Sequence, residues 1–88
     1  MKNSQTIENP NILKIKTLFH NRCLVNPAHL GIVVHEIHPR SQRPKTWNEL
    51  ENQVLLCHEC HDKIHHDGAG NWAIKLEKLR SDWVNKYA

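Results

Sequence analysis

The stretch that decides the fold runs Asn52-Gln-Val-Leu-Leu-Cys-His-Glu-Cys-His-Asp-Lys-Ile-His65. It places Cys57 and Cys60 at the spacing with which two thiolates clamp one metal ion. It also places His61 and His65 one helical turn apart, so that their imidazoles project from one face of a helix. Sulfur and nitrogen ligands concentrated in so short a span predict a metal-binding domain.

The bulk composition sets limits on that domain. A chain of 88 residues is one small domain, whose core is marginal without a staple such as a structural metal. Its three cysteines cannot all pair as disulfides, and no apolar run is long enough to cross a membrane. The first residues do not begin a signal peptide. We therefore expect reduced thiols and a cytoplasmic setting, with no membrane partner.

The pattern of apolar residues predicts an α+β fold. We expect residues 1–10 to be a flexible tail and residues 11–88 to form the single domain. β-Branched residues between Gly31 and Ile37 predict the first strand. The other predicted elements are a helix at 11–19, a strand at 52–57, a helix at 60–66 stopped by residues 67–70, and a final helix at 71–86.

The cysteine clamp needs two more ligands to complete a tetrahedral zinc site. Cys23 is the only other cysteine and is the predicted third ligand. His29 is the first choice for the fourth ligand and His20 the second, because the amide at Asn26 is a poor zinc ligand. The alternative is that the cysteines are small buried hydrophobic residues, with or without a lost metal.

A second site is predicted from the histidines. His61 and His65 can grip one ion together, and His35 on the preceding strand would complete a set of three. Three protein ligands leave positions open for water or substrate, which is the arrangement of a catalytic ion. The alternative is a solvated helix face, and we expect His58 and His66 to be surface residues.

The ordered motif His35…Asn52-x8-His61-x3-His65, with Cys57-x2-Cys60 just before His61, resembles the HNH endonuclease motif. The segment Pro39-Arg40-Ser41 matches a common feature of that family. The similarity spans roughly residues 22 to 65 and is greatest to small phage-type HNH proteins with a Val-His-Glu-Ile segment.

This resemblance implies a ββα-metal fold, in which a β-hairpin and a helix hold one divalent ion (Mg, Mn, Ni or Zn). It implies that His35, His61 and His65 are the metal ligands and that Asn52 braces the hairpin loop. The implied activity is metal-dependent hydrolysis of DNA phosphodiester bonds, with a general base activating water.

One position departs from the family pattern. The residue after the first ligand is usually the histidine that acts as general base, and here it is Glu36. An ordinary glutamate has a pKa near 4.3 and is a weaker base than imidazole, whose pKa is near 6.5. Three outcomes stay open: Glu36 is the base, His38 on the same strand face replaces it, or the site binds DNA and metal without cutting.

The loop after the first strand is basic. Arg40, Arg43 and Lys45 are predicted to contact DNA phosphates without reading sequence, although an ordinary solvated loop has the same composition. Trp47 either stacks on a base or caps the core. The competing class is a catalytically inactive zinc-knuckle module that binds nucleic acid or a protein. A homodimer or an accessory protein partner is expected if cleavage is to be specific.

Overall fold

The computed structural model describes residues 11–87, so the predicted tail at 1–10 lies outside the described residues. Within them the chain forms a small α+β domain with one antiparallel two-stranded sheet and three α-helices, which confirms the predicted class at this level. The elements in chain order are α1 (Ile12–Leu18), β1 (Val33–Glu36), a 3-10 turn (Leu50–Asn52), β2 (Gln53–Leu56), α2 (His58–Asp67) and α3 (Ala69–Tyr87).

The two strands form a hairpin with a long connection. β1 pairs antiparallel with β2, with His35 opposite Val54 and Glu36 opposite Gln53. Both strands are shorter than predicted. The backbone before β1 makes a close approach, since a Cβ on Gly31 would lie 2.3 Å from Leu55 Cγ. The chain enters β2 directly from the 3-10 turn at Leu50–Asn52. The two strands pair through four residues each, and these four pairs set the register of the hairpin.

β2 is the centre of the core. All four of its residues are buried, and Val54, Leu55 and Leu56 have no exposed surface. A strand covered on both faces reads as a continuous apolar run and not as an alternating one. The core residues around it come from all three helices, with Ile15, Ile64 and Leu76 among them, and from Phe19 directly after α1.

The loop between α1 and β1 folds back on the hairpin. Two consecutive residues after α1, His20 and Asn21, adopt positive φ values of 54° and 59° and turn the chain sharply. A bridge between Arg22 and Leu30 then closes the loop that carries Cys23. The amide of Leu24 donates to Leu55 O at 2.9 Å, so this loop lies against β2.

The break between the last two helices is shorter than the predicted stop at 67–70. α2 begins at His58 because the Cys57 side chain caps it, with Sγ accepting from the Cys60 amide at 3.4 Å. α2 ends at Asp67 and is capped by Gly68, whose φ of 96° suits glycine, and α3 starts at the next residue. No α-helix in residues 11–87 has the length and apolar character needed to span a membrane.

Arg80 on α3 fastens this last helix to the start of the hairpin's second strand. Its guanidinium donates to Leu50 O at 2.8 Å and to Gln53 O at 3.1 Å. Burial lowers the pKa of Arg80, since a guanidinium that leaves water is harder to keep charged. The two carbonyl acceptors compensate that cost and hold α3 against the start of β2.

Candidate metal centre

Three imidazoles from two elements meet beside the hairpin. His35 comes from β1, while His61 and His65 lie one turn apart on α2. Their ligand atoms all lie within 4.8 Å of one another, and the two Nε2 atoms on α2 are 3.0 Å apart. Nitrogens bound at about 2.1 Å to one ion lie about 3.0–3.4 Å apart, so this separation fits a shared ion as well as a shared hydrogen.

His35 is the most informative member of this group. Its side chain is only 5% exposed, and Nε2 is buried without a hydrogen-bond partner among the described residues. Burial, and then the neighbouring His61 and His65, lower the pKa of His35 from 6.5 to about 4. The ring is therefore neutral at physiological pH. A buried ring nitrogen left without a partner costs about 1–3 kcal/mol.

The surroundings of the three histidines form a cavity of about 200 Å³. Burial, followed by the nearby His65, also lowers the pKa of His61, which favours its neutral, ligating form. Glu36 and Pro39 line the same cavity from the end of β1 and the residues after it. Neutral imidazoles around an accessible space are a donor set that could hold a metal ion such as zinc.

Asn52 organises the loop that leads away from this cavity. Its Oδ1 accepts from the His38 amide at 2.8 Å, and its Nδ2 donates to His38 O at 2.8 Å and to Trp47 O at 2.9 Å. The residue is 6% exposed. Three partly buried hydrogen bonds thus tie both ends of the connecting loop to the start of β2, as a bracing role requires.

The two candidate bases occupy different surroundings. The Glu36 side chain lines the histidine cavity and is 22% exposed. The His38 ring lies against α3 instead, where Nε2 is 2.9 Å from Glu77 Oε2. His38 is not among the cavity-lining residues described above. The geometry therefore favours Glu36 over His38 as the group that faces a ligand in the cavity, while the chemical role of each stays a prediction.

The basic loop is exposed at all three predicted DNA contacts, Arg40, Arg43 and Lys45. Arg40 differs from the other two because it has partners within the domain. Its Nε donates to Glu36 Oε2 at 3.4 Å, and its guanidinium carbon lies 3.7 Å from the centre of the Trp47 ring. Trp47 is half-buried and supports this arginine.

A second group could hold a metal through sulfur. The thiols of Cys23, Cys57 and Cys60 are free, and their sulfur atoms lie within 4.8 Å of one another. Burial opposes ionisation of Cys57, but hydrogen bonds from Cys60 and His29 outweigh it and lower the pKa of Cys57 to about 7. Burial and the adjacent thiols raise the pKa of Cys60 to about 12. A cation would favour ionisation of all three thiols, since ligating sulfur is thiolate.

The two candidates for the fourth ligand of the thiol group, His29 and His20, lie in different surroundings. His29 Nδ1 is 3.6 Å from Cys57 Sγ, and a tetrahedral zinc holds sulfur and nitrogen ligands about 3.5 Å apart. The hydrogen bond with Cys57 raises the pKa of His29. His20, the second choice, packs its ring against Trp83 and Tyr87, at 5.5 and 5.3 Å between centroids.

Sequence reasoning missed one possible ligand. Glu59 Oε1 is 3.6 Å from His29 Nδ1, and Glu59 groups with His29 and Cys57 as a third set that could hold an ion. The position of Glu59 between Cys57 and Cys60 is the sequence feature that could have identified it as a possible ligand. Its 81% exposed side chain makes it a weaker ligand candidate than the buried thiols.

Comparisons of the chain with protein-family models, with curated proteins and with solved structures gave no match. The fold and the site define a small α+β domain in which clustered cysteines and histidines could hold metal ions.

Proposed function

We propose that the protein is a metal-dependent endonuclease that hydrolyses DNA phosphodiester bonds at an HNH-type ββα-metal site. The observation that carries the proposal is the meeting of His35, whose buried Nε2 has no hydrogen-bond partner among the described residues, with His61 and His65 at an accessible cavity. A hairpin followed directly by a helix supplies these three groups in the order that the resemblance implies.

His35, His61 and His65 fit one divalent ion, since two of the three have lowered pKa values and one is otherwise unpaired. Such an ion, when bound, supplies positive charge that polarises a phosphodiester and stabilises a leaving oxygen. The protein's own groups do the rest. Glu36, at the wall of the cavity, accepts a proton from water, and Asn52 keeps the adjoining loop in place.

The basic loop supplies the nucleic-acid contacts in this proposal. Arg43 and Lys45 are exposed and can bind phosphates as anchors that read no sequence. The net charge of +3 is compatible with a polyanionic partner. Each anchor that binds one phosphate should contribute about one unit to the slope of log affinity against log salt.

The thiol group is proposed as a structural zinc site held by Cys23, Cys57 and Cys60, with His29 as fourth ligand. The distance of 3.6 Å between His29 Nδ1 and Cys57 Sγ supports this choice. A structural site closed by four protein ligands leaves no position for substrate. It therefore stabilises the loop after α1 against the start of α2.

The alternative is a module that binds nucleic acid or a protein without cutting. It is favoured by the carboxylate at position 36, since that carboxylate is engaged by Arg40 and is a weaker base than imidazole. The same site then holds a metal, and the domain serves only as a binding surface.

One experiment separates the two. Supercoiled plasmid is incubated with the purified protein and Mg, Mn, Ni or Zn, and the wild type is compared with His35→Ala and Glu36→Ala. His66→Ala is the matched control, because His66 is an exposed histidine on the same helix. The nuclease predicts that cleavage is lost in His35→Ala and retained in His66→Ala. Retained DNA binding with no cleavage under any ion would establish the binding module instead.

A metal count tests the two sites independently of cleavage. The wild-type protein should bind two ions per chain, His35→Ala one, and Cys60→Ser one. A single ion that survives His35→Ala and disappears in Cys60→Ser would leave only the thiol site, and the nuclease proposal would be wrong.

A further inference from the structure

Arg40 occupies an unusual position between an aromatic ring and the carboxylate at the histidine cavity. Its guanidinium carbon is 3.7 Å from the centre of the Trp47 ring, and its Nε donates to Glu36 Oε2 at 3.4 Å. Arg40 itself stays 57% exposed, whereas Glu36 is 22% exposed. Arg40 is therefore accessible to solvent and also contacts Glu36, a residue that lines the histidine cavity.

The aromatic support is itself anchored. The Trp47 carbonyl accepts from Asn52 Nδ2 at 2.9 Å, and Asn52 is buried at the start of β2. A planar guanidinium stacks on a ring and keeps the donors on its edges available, whereas an ammonium group is a single point charge. The contact with Trp47 at 3.7 Å thus restricts the positions that the donors of Arg40 can take.

Exposed pairs of this kind add little to the stability of a fold. The arrangement instead fits recognition, because arginine binds a carboxylate on one edge and a phosphate on another with defined geometry. Among residues 11–87, Arg43 and Lys45 make no comparable contact with an aromatic ring or a carboxylate, and both suit simple charge anchoring.

We propose that Arg40 joins the DNA to Glu36: its Nε holds the Glu36 carboxylate while its Nη groups bind a backbone phosphate of the substrate. This inference rests on the proposed nuclease function and names the residue that sets the distance between a substrate phosphate and the proton acceptor. Arg40 is in this respect a positioning residue, and its charge alone is insufficient for the task.

The first test uses a charge-conserving substitution. Arg40→Lys keeps the positive charge but loses the stacked plane and one of the two edges. We expect kcat to fall by at least about 10-fold with KM changed by less than about threefold, since misplacing a reacting group by 1 Å can cost about 100-fold. Arg22→Lys is the matched control, because Arg22 is an exposed arginine outside the site, and its kinetics should be unchanged. Equal kinetics for Arg40→Lys and Arg22→Lys would overturn the proposal.

The second test does not require cleavage. In the protein saturated with zinc, the proton–nitrogen NMR signal of Arg40 Nε should shift in Glu36→Gln and again in Trp47→Leu, while the Arg22 Nε signal stays in place. On titration with a short DNA duplex, Arg40→Ala should weaken binding and reduce the salt slope by about one unit. If the Arg40 Nε signal does not shift in either variant, or if the salt slope is unchanged in Arg40→Ala, the proposal that Arg40 joins Glu36 to a DNA phosphate is wrong.

The two tests keep this inference separate from the proposed function. If no ion supports plasmid cleavage, the nuclease proposal fails, and the NMR and DNA titrations still decide whether Arg40 joins Glu36 to a phosphate. If the protein cuts DNA and Arg40→Lys is fully active, the nuclease proposal stands and the positioning role is wrong.

Discussion

Replacement of Asn52 by alanine tests how the histidine site is supported. The substitution removes three hydrogen bonds at once: the one accepted from the His38 amide and the two donated to His38 O and Trp47 O. A buried neutral hydrogen bond contributes about 1 kcal/mol, so the expected loss in the free energy of unfolding is about 3 kcal/mol. For a domain of this size, about 1 kcal/mol corresponds to about 4–8 °C in Tm, which predicts a fall of at least about 12 °C.

The measurement is urea unfolding followed by tryptophan fluorescence on chelator-treated protein, so that no bound ion masks the change. Asn71→Ala is the matched control. It removes the same side chain on α3, where one exposed hydrogen bond joins Asn71 Nδ2 to Asp67 O at 2.9 Å. We expect that control to lose less than about 1 kcal/mol, since an exposed amide regains water as a partner.

The same variant also distinguishes bracing from direct chemistry. If Asn52 acts through the loop, cleavage falls together with stability, and binding at the histidine site weakens because the loop that follows β1 is no longer held in place. If Asn52→Ala unfolds at the urea concentration of the wild type and yet cleaves no DNA, the bracing argument is refuted and Asn52 must contact the substrate.

Three further predictions follow from individual contacts. In the chelator-treated protein, the pKa of His35 is about 4 in the folded state and 6.5 in the unfolded state, so the unfolded chain binds more protons below pH 6.5. The free energy of unfolding should therefore fall by about 3 kcal/mol as the pH is lowered from 6.5 to 4. The variant His35→Gln should lack this pH-dependent component. A divalent ion at 100 times its Kd should stabilise the wild type at the histidine site by about 2.7 kcal/mol, and His65→Ala should abolish that increment in a thermal melt. Gly31→Ala should destabilise the fold by about 1–3 kcal/mol in urea unfolding, because its Cβ would lie 2.3 Å from Leu55 Cγ, while the metal count stays unchanged.

Local periodicity predicted the elements because it depends on neighbours in sequence. The spacing of His61 and His65 requires only one helical turn, and the β-branched run before Ile37 requires only an extended chain. The helix start was predicted two residues late because a thiol caps it. Cys57 lacks the hydroxyl or carboxylate that usually marks this position in a sequence.

Side-chain partners were harder to predict because they depend on packing between distant segments. His38 and Glu77 lie 39 positions apart and meet only because α3 folds back beside the hairpin. The choice between His20 and His29 likewise depends on two residues with positive φ that turn the chain after α1. No periodic pattern encodes such a turn, since asparagine and histidine adopt it only occasionally.

Both candidate metal groups draw ligands from α2 or its N-cap. This common helix explains why the cysteine pair and the histidine pair lie so close together in the sequence. Cys57 and Cys60 hold the first turn of the helix, while His61 and His65 project from its next turns. Because Cys60 and His61 are adjacent in sequence, a helix that rotated to improve one group would disturb the other. In the proposed arrangement, an ion held by the thiols would fix the rotation of α2 against β1, and with it the placement of His61 and His65 beside His35.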